Sequence, residues 1–159
     1  MHLPTIIGNL ALLASTAFAA HVVVRNKCGL PVYVTSVQTS QDPIQKILPG
    51  GMFSENQKPV VNRTGVAVKI AKAESDLAKG APVLVLAYSW SEQSGLYYSL
   101  SAQDGFNFWG EKIRIHNPEG KPLEEIVWVG EPKPVHTAAY LGGEADLTLE
   151  LCDNFAKRF

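Results

Sequence analysis

Cys28 and Cys152 are the only cysteines in the chain, and 124 positions separate them. A bridge between them closes almost the whole folded segment into one loop and brings its two ends together. Whether it forms depends on the compartment. Residues 1–19 read as a secretory signal: Ile6 to Ala14 is an apolar core broken only by Gly8 and Asn9, free of charge and too short to span a bilayer. Ala17 and Ala19 occupy the −3 and −1 positions and favour cleavage before Ala20, whereas cleavage before His21 would place the bulky Phe18 at −3. In an oxidising, extracellular compartment Cys28 and Cys152 are expected to pair, and two buried free thiols are the alternative. The chain-entropy model assigns roughly 5 kcal/mol to a loop of this size. Residues 20–152 are then the folded domain and residues 153–159 a short tail.

Without its signal the chain of 159 residues has room for one domain with a real core and not for two ordinary ones. Lys and Arg number 14 against 15 Asp and Glu. Charge so evenly balanced creates no global field, so neither nucleic acid nor a membrane is expected as a partner. Turn formers are abundant, with 13 Gly and 10 Pro, and the runs between them are rich in Val, Leu, Ile and Tyr. That vocabulary predicts many short strands, an all-β domain.

In chain order, His21 to Cys28 is a β-branched strand with Val22, Val24 and Cys28 on one face, and Pro31 to Val37 is a second strand. The Gly29-Leu30-Pro31 turn between them predicts an N-terminal hairpin. Gln38 to Lys46 is polar, Leu48-Pro49-Gly50-Gly51 turns into a short strand, and Gly65 to Ile70 resumes the alternation. Ala71 to Lys79 has the composition of a turn or two of helix stopped by Gly80. Pro82 to Trp90, the most apolar run after the signal, is expected as a central strand buried on both faces, with Ser94 to Phe108 as its hairpin partner. Trp109 to His116 alternates, Asn117-Pro118-Glu119-Gly120 turns, and Glu125 to Val129 returns. Alternate prolines make Glu131 to His136 an extended loop. In the last strand Leu147, Leu149 and Leu151 face one way, and Asp146, Thr148, Glu150 and Cys152 face the other.

Nucleophilic catalysis has no support, since no Gly-x-Ser-x-Gly elbow, phosphate loop or zinc-spaced Cys/His set occurs. No catalytic residue and no cofactor is expected. Asp104 is the only acidic residue between Ser94 and Phe108, a segment otherwise rich in Tyr, Ser, Leu and Phe. With Tyr88, Trp90, Tyr97 and Phe106 it forms the candidate ligand site, the rings stacking on sugars and Asp104 accepting a hydroxyl. Tyr98, Phe108 and Trp109 extend the set of rings. The ordinary explanation of alternating aromatics, core and cross-strand packing, stands beside it. Asn62-Arg63-Thr64 is an N-glycosylation acceptor in a secreted chain. A different class of function, copper binding, would use His21 as an N-terminal residue with His116 or His136. Cleavage before Ala20 would remove that geometry.

A family resemblance adds to these readings. Val22-Val23-Val24-Arg25-Asn26-Lys27-Cys28 followed by Pro31-Val32-Tyr33-Val34 resembles the opening of thaumatin-like proteins: a strand, a Cys and an aromatic second strand. Leu48-Pro49-Gly50-Gly51 stands where that family has a Gly-containing turn. Ser94-Gly95-Leu96, with Tyr98, Ser99 and Asp104-Gly105-Phe106-Asn107, is similar to its strand leading into an Asp-Gly-Phe-Asn motif. With one expected disulfide where plant members have many, the chain looks like the short fungal branch, the yeast-phase-specific antigenic thaumatin-like proteins. The resemblance implies a β-sandwich or flattened barrel of about ten strands with a single disulfide.

Plant members carry an acidic cleft linked to β-glucan binding, and some are glucanases. Aligned on Asp104-Gly105-Phe106-Asn107, this chain keeps one cleft aspartate as Asp104. It has Ser99 in place of the preceding aspartate, Ala87 in place of the glutamate, and Lys69 on or near the position of the arginine. Glycoside hydrolysis uses two carboxyl groups across the scissile bond, and one inherited carboxylate does not supply them. Glu92 and Glu111 are the nearest substitutes, and both read as solvated strand ends. The expectation is therefore a secreted protein of the fungal wall or extracellular space, without catalysis. Its expected ligand is β-glucan, another wall polysaccharide or a host surface protein; a degenerate glucanase is the enzymatic alternative.

Overall fold

A computed structural model describes residues 19–154. The expected signal segment up to position 18, and positions 155–159 of the tail, lie outside the described residues. Among the described residues eleven strands form two sheets. The first holds His21–Asn26 (β1), Met52–Asn56 (β4), Lys112–His116 (β8), Ile126–Val129 (β9) and Leu147–Leu151 (β11), in the order β4-β1-β11-β8-β9. The second holds Val32–Val37 (β2), Gln45–Ile47 (β3), Val66–Ala71 (β5), Val83–Ser91 (β6), Gly95–Gln103 (β7) and Thr137–Tyr140 (β10), in the order β10-β7-β6-β5-β2-β3. All pairs are antiparallel except β1 with β11.

The period of two explains the core. Val22 and Val24 of β1, Ile113 and Ile115 of β8, and Leu147, Leu149 and Leu151 of β11 turn inward from one sheet; Val68, Ile70, Leu84, Leu86, Leu96 and Leu100 meet them from the other. The fold is thus an all-β sandwich with one disulfide, Cys28–Cys152, whose Cα atoms are 5.0 Å apart. The parallel pairing of β1 with β11 places the cysteines just past the same ends of neighbouring strands. The sheets are also joined by polar atoms at one edge. Glu55 of β4 accepts hydrogen bonds from Ser36 Oγ at 3.0 Å and from Tyr88 Oη at 3.2 Å, and its other oxygen lies 3.1 Å from Lys58 Nζ.

Several expectations hold. β6 is interior to its sheet and pairs with β7 over its whole length. Its first half, Val83 to Leu86, is buried on both faces, because the 3-10 turn Glu74–Ala78 follows β5 and brings Leu77 into a small outer cluster with Ala71, Val83 and Val85.

One expectation is corrected, and two features lie outside the sequence reading. β1 and β2 do not form a hairpin; they lie in different sheets, and Gly29-Leu30-Pro31 carries the chain across. Buried Asn26 fixes that crossing, donating from Nδ2 to the carbonyls of Leu30 (2.9 Å) and Ile47 (3.0 Å) and accepting from the Cys28 amide (3.0 Å). β3 and β10 are additional strands. Their side chains are largely exposed, so no alternation announces them, and only backbone pairing to a neighbour makes them strands. Finally, β11 is buried on both faces, Thr148 and Glu150 included.

Candidate functional site

The outer face of the six-stranded sheet carries a groove of about 500 Å³. Its floor is a cross-strand row, Val37–Ala67–Ala87–Ser99–Thr137, set by the registers of β2, β5, β6, β7 and β10. Five adjacent strands make such a row about 19 Å long. The small residues of its three middle strands leave the floor low, while Lys69 rises on one flank and Tyr97 on the other. Gly65 at the rim is required by close approach: a Cβ there would stand 2.6 Å from the carbonyl oxygen of Tyr88. Of the lining residues Lys69 alone is charged; aliphatic hydroxyls come from Thr64, Ser89, Ser99 and Thr137, an exposed phenol from Tyr97, and an amide from Gln38. The Gln38 amide nitrogen donates to the carbonyls of Pro59 (2.9 Å) and Thr64 (3.2 Å), which ties β2 to the loop before β5.

The candidate ligand residues do not assemble as expected. Tyr97 is 37 % exposed and flanks the groove. Asp104 and Phe106 sit beyond the opposite end of β7, which puts Asp104 about 20 Å along the strand from Tyr97. Tyr88 and Trp90 are corrected as stacking rings, because β6 turns both inward: they are 3 % and 9 % exposed. Burial raises the Tyr88 phenol above its ordinary pKa, and the Glu55 charge beside it adds to the shift. It is a neutral tie between the sheets. Tyr98 and Phe108 are likewise buried. Asp104 is exposed with φ of 57°, a left-handed conformation that Asp tolerates better than most residues, and Gly105 continues the turn at 114°. Phe106 packs among rings, 6.2 Å from Phe108, 5.3 Å from Trp109 and 5.7 Å from Trp128.

The histidines meet three different carboxylates. His21 Nδ1 is 3.9 Å from Asp146, which also accepts the His21 amide at 2.7 Å; His116 Nε2 is 3.5 Å from Glu150; His136 Nε2 is 2.8 Å from Glu124. Among the described residues no group of three or more His, Cys, Asp or Glu is placed to hold a metal ion. Asn62 is exposed in a turn where it and Arg63 have positive φ, 49° and 65°, and Thr64 of the same triplet lines the groove.

The outer face of the other sheet is ionic. Glu150, 4 % exposed, lies 3.0 Å from both Lys27 Nζ and Arg114 Nη2, and Asp153 lies 2.7 Å from Lys27 and 3.1 Å from Arg114. Burial pushes the Glu150 carboxyl up, but the hydrogen bonds from Lys27 and Arg114 outweigh it and hold the pKa at about 2.

Sequence reasoning missed the groove as a site. Its floor residues Ala67, Ala87 and Ser99 carry no chemistry singly; the readable signal was small residues recurring at outward positions of three strands, which becomes a groove only once register aligns them.

No curated protein matches the chain in sequence. Among solved structures it is similar to the protein elicitor MoHrip2 from Magnaporthe oryzae, with a TM-score of 0.66 and 21% identity over 84% of this chain and 99% of that one, a likeness of fold. The family model described as Bys1, Blastomyces yeast-phase-specific protein, matches residues 9–153. The chain therefore belongs to the Blastomyces yeast-phase-specific protein family.

Proposed function

We propose that the protein is a secreted, thaumatin-like binding domain that holds a neutral polysaccharide, β-glucan first, in the groove of its six-stranded sheet, without cleaving it. One observation carries this reading: Ala87 and Ser99 are directly paired on the groove floor and Lys69 flanks them. These are the positions where the resemblance to plant thaumatin-like proteins puts the glutamate, an aspartate and the arginine of the acidic cleft. The groove is concave there, and its lining residues include no carboxyl group. Hydrolysis by paired carboxyls has no residues there. Binding does: the exposed ring of Tyr97 stacks on a sugar face, and Lys69, Ser99, Thr137 and Gln38 exchange hydrogen bonds with hydroxyls. A host surface protein is the second reading for the same groove, favoured by the elicitor name of the structural neighbour.

Retention on insoluble β-glucan and chitin tests the reading. The wild type is expected to be retained on β-glucan with no release of reducing sugar, and Tyr97→Ala and Ala87→Trp to weaken retention about tenfold or more, by losing a stacking ring or by filling the floor. Equal retention of wild type and both folded variants would remove the groove from the mechanism, and absence of retention on both polymers would leave the host-protein reading.

In the same reading Asn62 carries a glycan at the groove rim, exposed by its left-handed turn. Peptide N-glycosidase is expected to lower the mass of the secreted protein and to leave Asn62→Gln unchanged; a secreted wild type whose mass does not move would count against it.

A further inference from the structure

Trp109 is 64 % exposed, whereas the other two tryptophans, Trp90 and Trp128, are buried at 9 % and 2 %. A large ring left in water is informative when it is also held still, and this one is. Trp109 and Gly110 form the apex of a turn closed by the Glu111 amide on the Phe108 carbonyl at 3.1 Å. That turn is pinned to the end of β9, with the Gly110 amide on the Gly130 carbonyl at 2.9 Å and the Gly130 amide on the Glu111 carbonyl at 3.0 Å. Phe108, fully buried, anchors the chain immediately before it. The indole itself meets Phe106 edge to face, and Phe106 meets Trp128 in turn. The ring therefore has little freedom to lose on binding, the condition under which an aromatic platform binds best.

The chain that leaves the platform enters a cleft that Trp109 itself does not line, and that cleft supplies the polar groups. Gly110 and Glu111 open this cleft of about 1100 Å³, which continues over Lys112, Arg114 and Asn154 to Lys27 and Asp153. Asn154 donates to Glu111 and accepts the Lys112 amide at 2.9 Å, so the cleft wall that begins one residue past Gly110 is a fixed set of donors and acceptors. Its charges balance, Lys27, Lys112 and Arg114 standing against Glu111 and Asp153 with Glu150 beneath. An anionic lipid surface or a highly charged partner gains nothing from a field that cancels. A neutral polyhydroxylated ring does: one apolar face for the indole, hydroxyls for the carboxylate, amide and ammonium groups.

We propose that Trp109 and the adjoining cleft are a second saccharide-binding site, separate from the groove and lying beyond the opposite end of β7 from Tyr97. The proposal rests on the polysaccharide reading for its ligand class and assigns a new place for it. Two sites on one small domain give avidity for an insoluble polymer that a short oligosaccharide cannot show.

Short soluble oligosaccharides of β-1,3-glucan and of chitin are the probes, titrated against the whole secreted protein while tryptophan emission is recorded. The expected result is a saturable shift in emission with at least one probe, persisting in Tyr97→Ala and absent in Trp109→Ala, with the latter binding about tenfold more weakly by calorimetry. Trp109→Phe keeps a ring and should recover part of the affinity without the emission response. An unchanged thermal midpoint in Trp109→Ala shows that the fold is intact. Retention on β-glucan that depends on Tyr97 and not on Trp109 would overturn this site and leave the groove standing. A response to phosphatidylcholine vesicles and to neither oligosaccharide would reassign Trp109 to a lipid surface and also overturn it.

Discussion

Replacing both cysteines, Cys28→Ser with Cys152→Ser, is expected to lower unfolding free energy by about 5 kcal/mol, the largest effect of any change away from the core. The reason is the span of the bridge, 124 residues, which encloses nearly every element. Freed of it, the unfolded chain regains the entropy of a loop of that size, while the folded state loses only a contact at the ends of β1 and β11. A total stability of 5–15 kcal/mol is usual for domains, so the reduced protein stands near the edge of folding. Denaturant unfolding with and without reductant measures it. The midpoint should fall steeply in wild type on reduction and not at all in the double variant. A midpoint that hardly moves would mean that the sheets alone hold the ends together.

The second large effect is expected at Glu150. Glu150→Ala removes the more buried of the two carboxylates that Lys27 and Arg114 share and leaves Asp153 to hold both; because the two cations are partly exposed, solvent screens what is lost and the expected cost is about 1–3 kcal/mol. Glu150→Gln keeps an acceptor oxygen and should cost less. The same residue sets an acid limit. Its carboxyl titrates at about 2 in the folded protein against an ordinary 4.5, so the unfolded state binds the proton first. The stability this contributes is complete above the ordinary value and drains away as pH falls from about 4.5 to about 2. Wild type should therefore lose stability through that window while Glu150→Gln follows a flatter curve, and parallel curves would exclude Glu150 as the cause. Asp153 is next to Cys152 and shares Lys27 and Arg114 with Glu150, so the cysteine and glutamate changes should not add.

The sandwich was legible wherever one physical rule governed one stretch. Alternation exposed β1, β8 and the leucine face of β11, and the apolar run exposed β6 with β7 as its partner. The expected disulfide follows from compartment and count, and the two strands that carry it do lie side by side. What was not legible depends on partners far along the chain. Nothing in Gln45–Ile47 or Thr137–Tyr140 requires a strand until a neighbour supplies hydrogen bonds. The hairpin expected for β1 and β2 failed because adjacency in sequence favours pairing only where no buried group redirects the turn, and Asn26 does so. Glu150 read as a residue on a polar face, since the cations that permit its burial come from Lys27 and Arg114, on other segments. Tyr88 and Trp90 show the limit for a site: a ring in a strand has two possible sides, and the sequence gives its type without its side. Tyr97, one residue before the buried Tyr98, points the other way and is the candidate ring of that set exposed at the groove.

The one parallel pair in the fold has a consequence for biogenesis. Of the described strands β1 is the first to be synthesised and β11 the last, yet they are hydrogen-bonded neighbours at the heart of the five-stranded sheet. While the chain is still emerging, β1 has only β4 to pair with, and its other edge waits, unsatisfied, for the rest of the domain. The middle of the six-stranded sheet is under no such delay, since β5, β6 and β7 pair in succession and only the edge strand β10 joins late. Assembly is thus expected to run from a meander that folds early to a closing step that cannot begin until β11 is released, with the bridge sealing it last.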